Sequence, residues 1–182
     1  MKNDRIAIIR ETLPSETLSV IFNFFVGIIL IFILDGFENF GAIIIMVPAL
    51  LAIRGNISGS YCARVARDLL IGCYNRKTLN QNILATTLLL LIVSLMISIA
   101  GYLLCLVLHI THSMKISDFF LFPLIVLIFT SIISFSGSTI FSNFLFRKGL
   151  NPNNIIPPIW SGIDDMLIIL NILLSLFILG VK

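Results

Sequence analysis

The chain has 182 residues, 58% of them hydrophobic and 12% charged, with a formal net charge of +3 and a mean hydropathy of +1.09. Soluble domains carry about 25% charged residues, and the apolar surplus here falls in long unbroken blocks. A water-soluble fold is therefore excluded, and a single all-α, polytopic membrane domain is expected. The basic residues flank these blocks instead of forming one patch, which excludes nucleic acid as a partner. Cys62, Cys73 and Cys105 make an odd set with no CxxC or Cys/His cluster. They read as small apolar fillers, not as a disulfide framework or zinc site.

Residues 1–17 mix Lys2, Arg5 and Arg10 with Asp4, Glu11 and Glu16. With Ile6, Ile8, Ile9 and Leu13 they suggest a short amphipathic surface helix, ended at Pro14 or followed there by the next helix. No small-residue cleavage site follows the first apolar run, so an uncleaved anchor is expected. Residues 18–182 form the membrane domain. Its first run spans Leu18 to Leu34, and a short acidic connection begins at Asp35. The second run, Phe40 to Ile53, is short for a span and contains Pro48. It leads into Arg54, Gly55 and Asn56, which predicts a kinked or broken helix continuing to Tyr74. Its unwound carbonyls would line a water-filled path. Arg54 and Arg64 are expected to meet lipid phosphates or fix helix ends.

The third run extends from Ile83 to about Ile110. His109 and His112 near its end are expected to cap the interface, not to bind metal. The fourth run, Phe119 to Phe146, holds a patch of small residues, Ser134, Ser136, Gly137 and Ser138, that favours close helix packing. The fifth begins at Asn151, where Pro152 and Asn153 suit a helix entrance; Asn153 and Asn154 are also placed to line a cytoplasmic mouth. Trp160 is expected to pack. Five spans place Lys2, Arg5, Arg10, Arg54, Arg64, Arg67, Arg76, Lys77, Arg147 and Lys148 on one side, against Lys115 and Lys182 on the other. The positive-inside rule then puts the N-terminus in the cytoplasm of a multi-pass cell-membrane protein.

The fifth run also carries adjacent acids, Asp164 and Asp165, near its middle. A carboxylate at that depth costs at least ~2.5–3.5 kcal/mol and by default marks function. Neighbouring helical residues point about 100° apart. Asp164 stripes with Ser161, Asn171 and Ser175, and Asp165 with Ser161, Ile168, Ile169 and Ile172, so spacing alone favours Asp164 as the polar-face acid. Carboxylates suit hard cations such as Mg²⁺, which keeps its water shell. A second copy related by a two-fold axis would double the acids. Pro48, Gly55, Ser161, Asn171 and Asn153 are the expected pore-lining residues.

Two stretches, PALLAIRGNISGSYCAR (residues 48–64) and NPNNIIPPIWSGIDD (residues 151–165), resemble motifs of the MgtE-type magnesium transporters. They resemble more closely the motifs of the eukaryotic solute-carrier relatives of that family. The resemblance covers essentially the whole chain. It implies five helices, a pairing of two such domains, and an ion path between them in which an acid of the last helix holds hydrated Mg²⁺. Motif register makes that acid Asp165, against the stripe argument, and matches Asn56 to the family's Gly-Asn and Arg64 to the motif's end. Asn151 and Asn153 stand where the family has Asp, so the cytoplasmic mouth carries less charge. The family's tandem CBS sensor has no counterpart in this sequence, so gating by it is not carried over. The solute-carrier relatives fuse two such domains, which implies that this one pairs with itself or with a sister half.

The implied function is divalent cation transport, with Asp165, Asp164 and Asn56 as metal-facing groups, Mg²⁺ as the cargo and no enzymatic activity. Two other classes are weighed beside it. Cys62, Arg64 and Asp68 resemble pieces of a membrane-embedded phosphatidyl transferase, but phosphoryl chemistry needs several grouped carboxylates. A non-transporting membrane partner protein would have little use for acids at mid-membrane.

Overall fold

The computed structural model describes residues 2–34, 41–110 and 115–179. Five helices account for nearly all of them: α1 (Lys2–Leu34), α2 (Gly41–Leu70), α3 (Arg76–Val107), α4 (Ile116–Arg147) and α5 (Pro152–Leu179). Each contains a stretch long and apolar enough to cross a bilayer, and no strand occurs among the described residues. The all-α, five-span architecture follows from the composition. In hydrocarbon every backbone group must be satisfied within its own segment, and a helix does this.

α5 organises the bundle. It packs against α1, α2 and α4, while α1 touches no other helix among the described elements. α2, α3 and α4 pack on one another. The core they share with α5 is built from Ile43, Met46, Leu50, Tyr61, Phe119, Phe122, Ile156, Ile168 and Ile169, all essentially inaccessible. Small residues set the closest approaches. A Cβ built on Gly137 of α4 would lie 2.5 Å from Cζ2 of Trp160, and one on Gly162 of α5 would lie 3.0 Å from Cβ of Phe22. The small patch on α4 and the packing role of Trp160 are thus the same contact.

Two prolines expected to mark a helix end or a break lie inside continuous helices. α1 runs unbroken through Pro14, so the polar segment 1–17 and the first apolar run share one helix. Pro14 withholds one backbone bond. Ser15 Oγ donates to Thr12 O (2.7 Å) and Thr17 Oγ1 to Leu13 O (2.8 Å) beside the gap. At 33 residues α1 reaches about 50 Å, longer than the ~30 Å hydrocarbon core. α2 likewise stays helical from Gly41 to Leu70, through Pro48, Gly55 and Asn56. Of the predicted kink or break, the broken form is absent, and the continuous helix leaves no run of unwound carbonyls. The physical reason is length: the run to Ile53 cannot span alone, and continuing the helix satisfies the backbone that a break would strand.

Helix ends are chemically marked. Asn75 opens α3 with a capping box, its Oδ1 accepting from Thr78 N (3.0 Å) and its N–H donating to Thr78 Oγ1 (3.0 Å). Gly72 and Gly149 take positive φ, 72° and 74°, just past α2 and α4. The next N–H in each case reaches five residues back, Cys73 to Asp68 O (2.9 Å) and Leu150 to Leu145 O (3.1 Å). His109 does the same for α3 at φ 50°, with Ile110 N donating to Cys105 O (3.0 Å). His109 is therefore a helix terminator; His112 lies outside the described residues, as do Asp35 and Lys182. Asn143 Nδ2 donates to Tyr74 Oη (3.2 Å), which joins the end of α4 to the α2–α3 turn. The basic turns thus gather at one end of the bundle.

Candidate cation site

At mid-height α2, α4 and α5 enclose a charged pair. Arg54 Nε lies 3.6 Å from Asp164 Oδ2, and both side chains are 0% exposed. Ser134 Oγ of α4 donates to the same carboxylate oxygen (3.2 Å) and accepts from the indole N–H of Trp160 (2.9 Å). Ser138 Oγ, one turn on, donates to Ser134 O (2.6 Å). The Arg54 guanidinium stands over the Phe135 ring, 5.5 Å from its centre. The charges are paired, but satisfaction is incomplete. Among the described residues, all three Arg54 side-chain nitrogens and Asp164 Oδ1 lack a hydrogen-bond partner. Removing one member of such a pair is costly, because the other charge stays buried and uncompensated.

This corrects the reading of Arg54 as a residue of the polar connection. It lies inside α2, away from lipid phosphates, and does not count toward the basic side of the membrane. The sequence carried the signal. A run ending at Ile53 is too short to span, so the helix must continue and carry Arg54 into the membrane, where a cation needs an acid. Arg64, by contrast, donates from Nη2 to Thr86 Oγ1 of α3 (2.7 Å).

Asp165, the next residue on α5, is half-buried. Among the described residues it makes no hydrogen bond and no ion pair. One turn earlier Ser161 faces α2, since a Cβ on Gly55 would come 3.4 Å from Ser161 Oγ. Asn56 follows Gly55 and is exposed, as is Pro48. With Ala52 and Ser60, these residues form an uncovered stripe of small and polar side chains along α2, spaced one turn apart. Asn171 lies elsewhere: it is buried and donates from Nδ2 to Thr130 Oγ1 of α4 (2.9 Å). Asn153 is exposed in the first turn of α5, its N–H donating to Asn151 Oδ1 (3.0 Å). Asn154 ties α5 to α1, donating to Glu11 Oε2 (2.8 Å).

The sequence-predicted residues therefore separate into two groups. Asp165, Ser161, Gly55, Asn56 and Pro48 lie on or beside open helix faces near the α2–α5 contact. Asp164 and Asn171 point inward. Among the described residues no three His, Cys, Asp or Glu side chains gather as a metal cage. The groups that resemble a phosphatidyl-transferase site are committed elsewhere. Asp68 accepts from Arg67 Nη2 (2.8 Å) and Asn82 Nδ2 (2.9 Å), and Cys62 is buried in the core. Cys105 is buried too, whereas Cys73 is exposed.

Five helices long and apolar enough to cross a bilayer define a multi-pass membrane protein. The family model of the MgtE divalent cation transporters matches residues 47–176, and the chain belongs to that family. The match takes in the α2 stripe and both acids and leaves out α1, which among the described residues packs on α5 alone. No curated protein and no solved structure matches the chain.

Proposed function

We propose that this divalent cation transporter carries Mg²⁺, and that Asp165 is the carboxylate that meets the ion. The observation that carries this reading is the contrast between neighbours. Asp164 is paired with Arg54 inside the bundle, while the half-buried Asp165 beside it has no hydrogen-bond or ion-pair partner among the described residues. An unpaired carboxylate there is tolerable if a passing cation compensates it. With no cage of ligands among the described residues, a single acid suits an ion that keeps its water, the habit of Mg²⁺. The carboxylate accepts hydrogen bonds from the hydration shell, and the hold is weak enough to release. Ser161 and Asn56 offer further oxygens along the α2–α5 flank, and Asn153 stands at the mouth. A second copy facing this flank completes the path and contributes its own Asp165. The clustered basic turns favour a cytoplasmic N-terminus by the positive-inside rule.

The test is Mg²⁺ flux into proteoliposomes. Asp165→Asn is expected to cut flux by at least about tenfold, the scale of ~1.4 kcal/mol of lost ion stabilisation, with the melting temperature unchanged. Wild-type flux in Asp165→Asn would overturn the assignment.

A further inference from the structure

Among the described residues α1 packs on α5 and not on α4, and its N-terminal half borders a groove of about 860 Å³ that reaches the end of α4 and the start of α5. Leu18, Leu145, Leu150, Ile155 and Ile159 form its apolar lining, and Arg10 and Glu11 its polar edge. Glu11 is committed to Asn154 at 2.8 Å. Arg10 is exposed and makes no ion pair among the described residues. Arg147 closes the last turn of α4, between Leu145 and Leu150 in the chain, and is exposed as well. The groove thus sits at the basic end of the bundle, with an apolar trough, Arg10 in its lining and Arg147 two residues beyond the lining residue Leu145.

We infer that this groove binds one anionic phospholipid per protomer, an acyl chain lying between α1 and α4 and the phosphate headgroup at Arg10 and Arg147. The charge pattern selects the occupant. Cations beside an apolar trough at a membrane surface match a negatively charged head with a hydrocarbon tail, and basic pockets between spanning helices bind such heads. A second protein helix would leave Arg10 without an anion. The site is independent of the cation path, since none of its lining residues belongs to the α2–α5 flank.

The experiment is native mass spectrometry of the full chain released from mixed micelles holding equal phosphatidylglycerol and phosphatidylcholine. One retained phosphatidylglycerol per protomer is expected, favoured about fivefold over phosphatidylcholine for each cation engaged. Arg10→Gln should lower that preference while leaving total lipid retention near wild type. Leu145→Trp should displace the tail and abolish retention. Arg10 is exposed, so Arg10→Gln carries the test even if Leu145→Trp misfolds. Equal retention of both lipids, unmoved by Arg10→Gln, would mean annular lipid only and would overturn the inference.

Discussion

Arg54 and Asp164 stabilise the bundle only as a pair. Each is fully buried, and each would be left as a lone charge in a dry core without the other. Arg54→Met and Asp164→Leu are each expected to destabilise the protein by about 3–5 kcal/mol, and the double variant to recover most of that loss. Thermal unfolding of all four proteins in one detergent measures the coupling. Additive losses would show that the two charges do not sense each other. Asp165→Leu, with no partner to strand among the described residues, should leave the melting temperature near wild type. The acids themselves were legible in the sequence, as two carboxylates in an apolar run. Their division of labour was not. Helical spacing favoured Asp164 as the polar-face residue, and it does face polar side chains, Ser134 and Arg54. Those lie inside the protomer, on helices whose position no local pattern encodes.

Between α4 and α5 the approach is limited by Gly137 and the Trp160 ring. A methyl at Gly137 would meet two ring carbons at 2.5 and 2.7 Å, and a planar indole held by a hydrogen bond to Ser134 has little room to yield. Gly137→Ala is expected to cost about 1–3 kcal/mol. Gly59→Ala on α2, which meets nothing within 4 Å, should cost nothing and is the control for composition. The check is the difference in melting temperature between them, together with the Trp160 fluorescence, which should shift only in Gly137→Ala. Equal stability would mean that the helices part at no cost. This contact was foreseeable, because a run of Ser and Gly in a spanning helix signals close packing. Helix limits were less so. Pro14 and Pro48 look like boundaries, yet one missing N–H is a small loss beside the backbone groups that a break would leave unsatisfied in lipid.

The molecule as a whole has two kinds of outer surface. α3 presents Leu84, Leu88, Leu95 and Met96, all exposed and apolar, as expected of a face against lipid tails. α2 presents Pro48, Ala52, Asn56 and Ser60 instead. An Asn amide in hydrocarbon without a partner is costly, and small side chains allow another helix to come close. The two faces therefore differ in what should cover them: lipid for α3, and for α2 a second copy, as the proposed path requires. In a Cys73→Ser background, which removes the exposed native thiol, Ala52→Cys or Asn56→Cys should form a disulfide between two chains in native membranes under mild oxidation. Leu88→Cys should not. The product is read as a doubled mass on a non-reducing gel that collapses on reduction. Crosslinking through Leu88→Cys with none through α2 would move the pairing face to α3. Asp165 would then lie away from the interface, and the path would have to run within a single protomer. Crosslinking through α2 alone would bring two copies of the α2–α5 flank together, each adding one unpaired carboxylate to a shared, hydrated passage.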